Sequence, residues 1–421
     1  MANLSELDPS VATSTVTCCI AGCGPAGAML GLLLARAGVE VLVLEKHDDF
    51  FRDFRGDTVH PSTLEVIEEL GMLDRFAQIP QQHTAKLRAW TDGGTVELAD
   101  FGSAGLRHPY IAFVPQWDLL DFLTDAAREH PGFDLRLGAE VVDLRWQGTR
   151  VAGVRYRDRD GLHDVAAALT VAADGRDSDV RRLARLEPVQ YGAPMDVLWF
   201  RLSRSPSDPT ESVGRVSTGR FMAMIDRGSY WQIGYVVPKG GDSRLRAGSI
   251  DALRASVREL VPSFADRTER EPGSWDDVKT LSVQVDRLRR WHRAGLLCIG
   301  DSAHAMSPIG GVGINLAVQD AVAAANLLAE PLRAGRLRER DLARVAWRRW
   351  LPTVLTQGLQ RLVQRRLLAP LLERRQPRGA RVLGALARVQ ALRRVPARLI
   401  GVGVLPEHVR SHAAPSRVRA P

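Results

Sequence analysis

Apolar positions fall into two periods along the chain, and each period predicts a different element. An apolar-rich run at 16–21 with only Thr17 polar, an apolar-rich stretch at 25–36 closed by Gly38, and a second run at 39–44 with only Glu40 polar read as strand, helix and strand. Together they make a βαβ unit of about 30 residues, as a dinucleotide fold requires. Helices are predicted at 61–70, with Ser62 or Thr63 near the start and Gly71 at the end, and from 117 to 129. Short strands with turns at Gly148, Gly153 and Asp160-Gly161 fill 135–172, and a buried strand at 169–173 ends at Asp174-Gly175. Alternation then takes over. At 230–237 it places Ile233, Tyr235 and Val237 on one face; at 281–286 it sets Leu281, Val283 and Val285 against Ser282, Gln284 and Asp286. Period-two alternation predicts a sheet with one face wet or turned to a ligand. A buried strand at 295–299, a glycine-rich loop at 300–313 and a helix at 314–329 restore the first pattern. The expected fold is α/β. A discontinuous Rossmann-type domain (14–187 and 289–335) is split by an antiparallel-sheet domain at 188–288. A helical, arginine-rich region at 336–421 follows.

Composition narrows the class. With 45% apolar and 25% charged residues the chain is globular, neither disordered nor fibrous. Four cysteines make no disulfide scaffold: Cys18, Cys19 and Cys23 cluster, Cys298 stands alone, and no C-x-x-C pair offers a zinc site. They are expected to be reduced thiols. Glu6, Asp8 and Pro9 stand where a secretory leader would be basic and then apolar, and no apolar run reaches the ~20 residues of a membrane span. The expectation is a cytoplasmic chain. Net charge is +8, yet 361–398 alone holds eleven arginines and one acid, so the rest is weakly acidic. That basic region reads first as helices with solvated faces packed on the α/β domain. The second reading is peripheral contact with an anionic membrane. Nucleic acid comes last, because no recognised fold supports it.

The chemistry begins at Gly22-Cys23-Gly24-Pro25-Ala26-Gly27, between a strand and a helix. Gly22 permits the tight turn, Gly24 lets backbone approach a pyrophosphate, and Gly27 allows close packing; the helix N-terminus offers free N–H groups to phosphate. Glu45 ends the second strand, where its carboxylate can accept from ribose hydroxyls, and it disfavours a 2′-phosphate despite Lys46 beside it. Two further stretches, 172–178 around Asp174-Gly175 and 300–315, lie at strand ends. Asp301 can reach a polyol over the sheet edge, and Gly310, Gly311 and Gly313 leave amides uncovered before a helix, a nest for an anion. His304 has no partners in a metal-binding pattern, so no metal is expected.

These three ordered motifs resemble the group A flavoprotein monooxygenases, the aromatic hydroxylases related to p-hydroxybenzoate hydroxylase, over roughly 16–335. The resemblance implies FAD, with NADPH or NADH as a transient electron donor and no separate nicotinamide domain. It implies Gly22, Gly24 and Ala26 at the pyrophosphate and Glu45 at the ribose. It implies Arg55 at the flavin, gating its position, Gln116 near phosphates and ribityl chain, and the Val142 amide at adenine. Asp174 and Gly175 would serve both FAD and nicotinamide, Asp301 the ribityl chain, Pro308 the place of oxygen reaction, and Val312, Gly313, Ile314 and Asn315 the pyrimidine edge. Cys23 departs from the small residue usual in the family. The implied reaction inserts one oxygen atom of O2 into an electron-rich, aromatic or polyketide-like molecule by way of a flavin C4a-hydroperoxide. Trp199, Met222, Met224, Trp231, Ile233 and Tyr235 are the candidate substrate-lining groups, about a third of them expected to touch ligand and the rest to be core; His60 and His83 are expected to be surface histidines, with proton relay as the alternative. Two rivals remain: a reductase or halogenase on the same fold, and a non-catalytic binding protein of the GDP-dissociation-inhibitor type. The halogenase stretch W-x-W-x-I-P is not matched at 230–235.

Overall fold

A computed structural model describes residues 13–51, 58–373 and 390–414. Its first sheet runs in the order His292–Arg293, Leu296–Cys298, Gly161–Ala172, Thr13–Ala21, Val41–Leu44, Phe133–Arg136. From Leu296–Cys298 to Phe133–Arg136 the neighbours are parallel, and Ala21 lies in register with both Ala172 and Leu44. Val41–Leu44 and Leu296–Cys298 are buried on both faces, which is why they are apolar without alternation. Helices Pro25–Arg36, Gly313–Arg333 and Gln116–Arg128 cover one face. A meander of Glu140–Gln147, Arg150–Asp158 and Gly161–Ala172 folds over the other. Helix Gly313–Arg333 is long and apolar enough to cross a membrane, although no single apolar run announces it; 83% of its most apolar window is buried in this core.

The second sheet has seven strands and is wider than 188–288. Hairpin Lys86–Thr91 and Gly94–Asp100 forms its edge, pairing in parallel with Val213–Ser217 through Gly214–Ala89 and Arg215–Trp90. The alternating stretch at 281–286 is not one strand. Lys279–Leu281 and Asp286–Leu288 join different sheets, and Asp286, expected on a wet face, is fully buried. Nor does strand Tyr230–Pro238 have a wet face, since Trp231 through Val237 are all buried. One face of this sheet (Leu198, Phe200, Met222, Met224, Trp231, Ile233, Tyr235) packs on helix Ile250–Leu260 through Leu253, Val257 and Leu260. The other (Met195, Val197, Trp199, Phe221, Val236) packs toward Ile309, Leu368 and Leu372.

Helix Glu339–Val363 follows, with Gln390–Gly401 after it. The segment beyond Gly401 returns over the first domain. Asn326 Oδ1 accepts from the Arg410 and Ser411 amides at 2.8 and 3.0 Å, and the Ala414 amide donates to Arg36 O at 2.9 Å.

Candidate functional site

The carboxyl ends of three adjacent parallel strands carry Gly22, Asp174 and Asp301, where ligands sit in open α/β sheets. At Gly22 φ is +95°, and an added Cβ would stand 2.5 Å from Ala173 O. A Cβ on Gly27 would stand 2.0 Å from Gly22 O, so helix Pro25–Arg36 sits directly on the turn. Gly24 differs: a Cβ there meets nothing within 4 Å, and the same holds at Gly175 and Gly313. No side chain caps Pro25–Arg36, leaving its Ala26 end open to an anion. Glu45 Oε2 accepts from the Cys23 amide at 2.9 Å and Oε1 from the His47 amide at 3.2 Å, which aims the carboxylate across the turn. Lys46 is exposed beside it.

Chain segments far apart in sequence converge here. A Cβ on Gly300 would lie 3.1 Å from the Cβ of Ala26. Asp301, next along, is half-buried and 3.4 Å from Arg176 Nη2. The Gly310–Gly311 turn leads into helix Gly313–Arg333, which has no side-chain cap either, and Thr58 Oγ1 donates to Gly311 O at 2.7 Å. Pro308 precedes the turn; Val312 and Ile314 are buried at the helix start. Gln116 opens helix Gln116–Arg128. Val142 is the extra residue of a bulge, because the register steps from Val141–Tyr156 to Asp143–Arg155. Open glycine positions, uncapped helix starts and carboxylates at the sheet edge form a cradle that fits an extended dinucleotide.

Several side chains do something other than expected. The Asp174 carboxylate caps helix Asp179–Leu183, accepting from Ser178 Oγ at 2.5 Å and the Val180 amide at 3.0 Å; burial pushes its pKa up. The Asn315 carbonyl oxygen accepts from the His60 amide and Thr63 Oγ1, so this side chain turns toward helix Pro61–Glu69. Met222, Met224, Trp231, Ile233 and Tyr235 lie on the sheet face covered by helix Ile250–Leu260 and are core. Trp231 Nε1 donates to Asp208, and Tyr235 Oη bonds Ser256 Oγ. Trp199 alone of the six faces Ile309, and its buried Nε1 finds no partner among the described residues. Arg55 lies outside the described residues. Burial pushes the thiols up, Cys19 to about 12, which makes them poor nucleophiles.

His60 is not a surface residue. It is wholly buried, with Nδ1 donating to Ile400 O at 2.8 Å, and burial lowers its pKa to about 4 despite carbonyls of Ile400 and Gly311 nearby. His83 stacks on Tyr110 and bonds Gln81. The His60 shift has a signed consequence. The unfolded chain takes up this proton near pH 6.5 and the folded chain only near 4, so stability falls as pH drops through that window, by up to ~3 kcal/mol. Thermal melts of the parent should show that fall, and His60→Gln should flatten it.

The support behind the loop escaped the sequence reading. Asp320, fully buried, accepts from the Gly300 amide at 3.0 Å, His304 Nε2 at 2.6 Å and Arg349 Nε at 2.9 Å. Burial alone would raise its carboxyl, but His304 and Arg349 outweigh that and hold it below the usual range. Gln357 Nε2 donates to Asp286 O and Ala305 O, Gln360 Nε2 to Ser307 O and Ile309 O, and Gln364 Nε2 to Ser307 Oγ. The spacing Gln357, Gln360, Gln364 is helical and was the available signal.

The family described as FAD binding domain matches residues 15–342. A 6-methylpretetramide 4-monooxygenase of Streptomyces rimosus is 35% identical over 353 residues, 83% of this chain and 84% of that protein. A 12-dehydrotetracycline 5-monooxygenase/anhydrotetracycline 6-monooxygenase, also from S. rimosus, is 30% identical over 72% of this chain, which spans 60% of that relative's length. Among solved structures, the flavin-dependent brominase Bmp2 superposes with a TM-score of 0.75 at 18% identity, over 92% of this chain and 94% of that one, a likeness of fold.

Proposed function

The chain belongs to the FAD-binding family of p-hydroxybenzoate hydroxylase-like monooxygenases, and from that premise we propose that it inserts one oxygen atom of O2 into an electron-rich, polyketide-like aromatic molecule. It is an FAD-dependent enzyme that draws electrons from NADPH or NADH. The observation that carries the reading is the approach of the Gly300–Asp301 loop to the Gly22–Gly27 turn, which makes one groove of two distant motifs. When bound, FAD supplies the redox centre that closed-shell side chains lack.

The chain's own residues bind and orient. Gly22, Gly24, Pro25, Ala26 and Gly27 would hold the pyrophosphate at the helix N-terminus. Glu45, aimed across the turn by the Cys23 and His47 amides, would meet the ribose, with Lys46 at the rim. The Val142 bulge would meet adenine, Gln116 the phosphates, and Asp301 the ribityl hydroxyls. The Gly310, Gly311, Val312, Gly313 and Ile314 backbone would face the pyrimidine edge, and Pro308 would border the reaction space. Asn315 and Asp174 support this shell from behind, and Gly175 leaves it open. Arg55 keeps its proposed flavin-side role.

Substrate would lie between the loop at Ile309 and the sheet face of Trp199 and Phe221. An indole N–H without a partner suits a carbonyl or hydroxyl of a flat polycycle. Polyketides, phenols and quinones should be screened for substrate-stimulated NAD(P)H oxidation with product mass. A gain of one oxygen is expected; incorporation of halide, or reduction without O2 uptake, would place the enzyme with the rivals. On the best substrate, Trp199→Phe should raise KM roughly tenfold, the worth of one buried hydrogen bond, and leave FAD content unchanged.

A further inference from the structure

Helix Glu339–Val363 starts in the ordinary way, burying Leu342 and Val345, but from Trp347 onward it is inside out. There the buried face carries Arg349, Thr353, Gln357 and Gln360 beside Pro352, while Trp347, Trp350, Leu351, Leu355, Leu359 and Leu362 are exposed. An ordinary surface helix has the opposite assignment. The inner polar groups are accounted for: Arg349 holds Asp320, Thr353 donates to Arg349 O of its own helix, and the glutamines hold the 305–309 loop. The outer stripe is not. Positions 347, 351, 355, 359 and 362 step by four, four, four and three, so they form one continuous ridge, with Trp347 84% exposed.

Charge identifies what this ridge meets. From 342 to 372 the sequence has six arginines (344, 348, 349, 361, 365 and 366) and no acid. At the ridge's end a cleft of about 310 Å³ is lined by Gly358, Arg361, Leu362, Arg365 and Arg366. Arg365 and Arg366 are exposed, and the buried Nε of Arg361 finds no hydrogen-bond partner among the described residues. Three guanidinium groups beside an apolar ridge present donors to an anion at the margin of an apolar phase. A second copy would oppose arginines to arginines, in either helix direction.

We propose that this face docks reversibly on an anionic membrane, the ridge entering the headgroup–acyl boundary and a lipid phosphate occupying the Arg361–Arg365–Arg366 cleft. Apolar ridge and basic cleft are the two signals that stable peripheral attachment needs. The inference rests on the helix, not on the oxygenase reading, and it would place a lipophilic substrate near the enzyme.

The test is co-sedimentation of the full FAD-loaded chain with vesicles of phosphatidylcholine alone or mixed with phosphatidylglycerol, alongside light scattering. Binding to the mixed vesicles only, released by salt, is expected. Trp347→Ser/Leu355→Ser should abolish it. Arg365→Glu/Arg366→Glu should weaken it roughly tenfold or more. Both variants should keep the parent's FAD absorbance, which excludes misfolding. Binding to neither vesicle, or equally to both, overturns the proposal. So does a dimer that Trp347→Ser/Leu355→Ser dissociates, or thermal stabilisation by inorganic phosphate without vesicle binding.

Discussion

A chain carrying Gly24→Val should fold like the parent and purify without colour. Gly24 has φ −72° and ψ −176°, ordinary extended backbone, and a Cβ there meets nothing within 4 Å. The cofactor-free protein should therefore lose no more than about 1 kcal/mol. The valine methyls would fill the path proposed for the pyrophosphate, and FAD affinity should fall by roughly a hundredfold or more. Gly22→Val is the control with the opposite cause: positive φ and a 2.5 Å approach to Ala173 O should cost ~2–4 kcal/mol of the fold itself. The two are separated by measuring thermal melts without FAD and fluorescence titration with it. A yellow Gly24→Val protein with parental affinity would sink the binding site, and with it the oxygenase reading.

Arg349→Met should be the most destabilising single change outside the glycine turn. Arg349 is 1% exposed, and its Nε holds Asp320 Oδ1, whose other oxygen serves Gly300 and His304. Glu407 lies 3.7 Å from Arg349 Nη1 and is otherwise held by Arg348. Removing the guanidinium leaves a fully buried carboxylate short of its cation, a loss of about 3–5 kcal/mol. Because His304 and Arg349 keep the Asp320 carboxyl low, this pair's contribution is present at neutral pH and is lost in the parent as pH falls below the usual carboxylate range. Arg349→Met/Asp320→Asn should recover part of the loss, since it removes the stranded charge. Denaturant unfolding of parent, singles and double would show this; additivity would mean that the two groups do not act together.

The Gly22–Gly27 turn, Glu45 and the 300–315 loop were legible because each is a local pattern: strand, glycine spacing, helix start. Their meeting was inferable from the parallel-strand rule alone. The substrate face was not. Alternation separates two faces of a strand, yet it cannot say which one a later helix will cover. Ile250–Leu260 covers the side of Trp231, Ile233 and Tyr235, so five of six residues chosen there are core. Hairpin Lys86–Asp100 escaped because its partner, Val213–Ser217, is more than a hundred residues away. The three glutamines escaped because a polar residue on a helix reads as solvated until the helix's inner neighbour is a loop full of carbonyl groups, as 305–309 is, and Asp320 escaped because its donors Gly300, His304 and Arg349 lie on other elements.

The order of strands also bears on how the enzyme is made. Thr13–Ala21 has Val41–Leu44 on one side, but its other neighbour is Gly161–Ala172 and the next is Leu296–Cys298. The first cofactor motif to leave the ribosome therefore waits for nearly three hundred residues before its sheet is complete, and longer for the loop that faces it. Such long-range closure is slow. Nascent chains would carry an open sheet edge through most of synthesis, and the groove that the two distant motifs make is complete only after the 300–315 loop has been made.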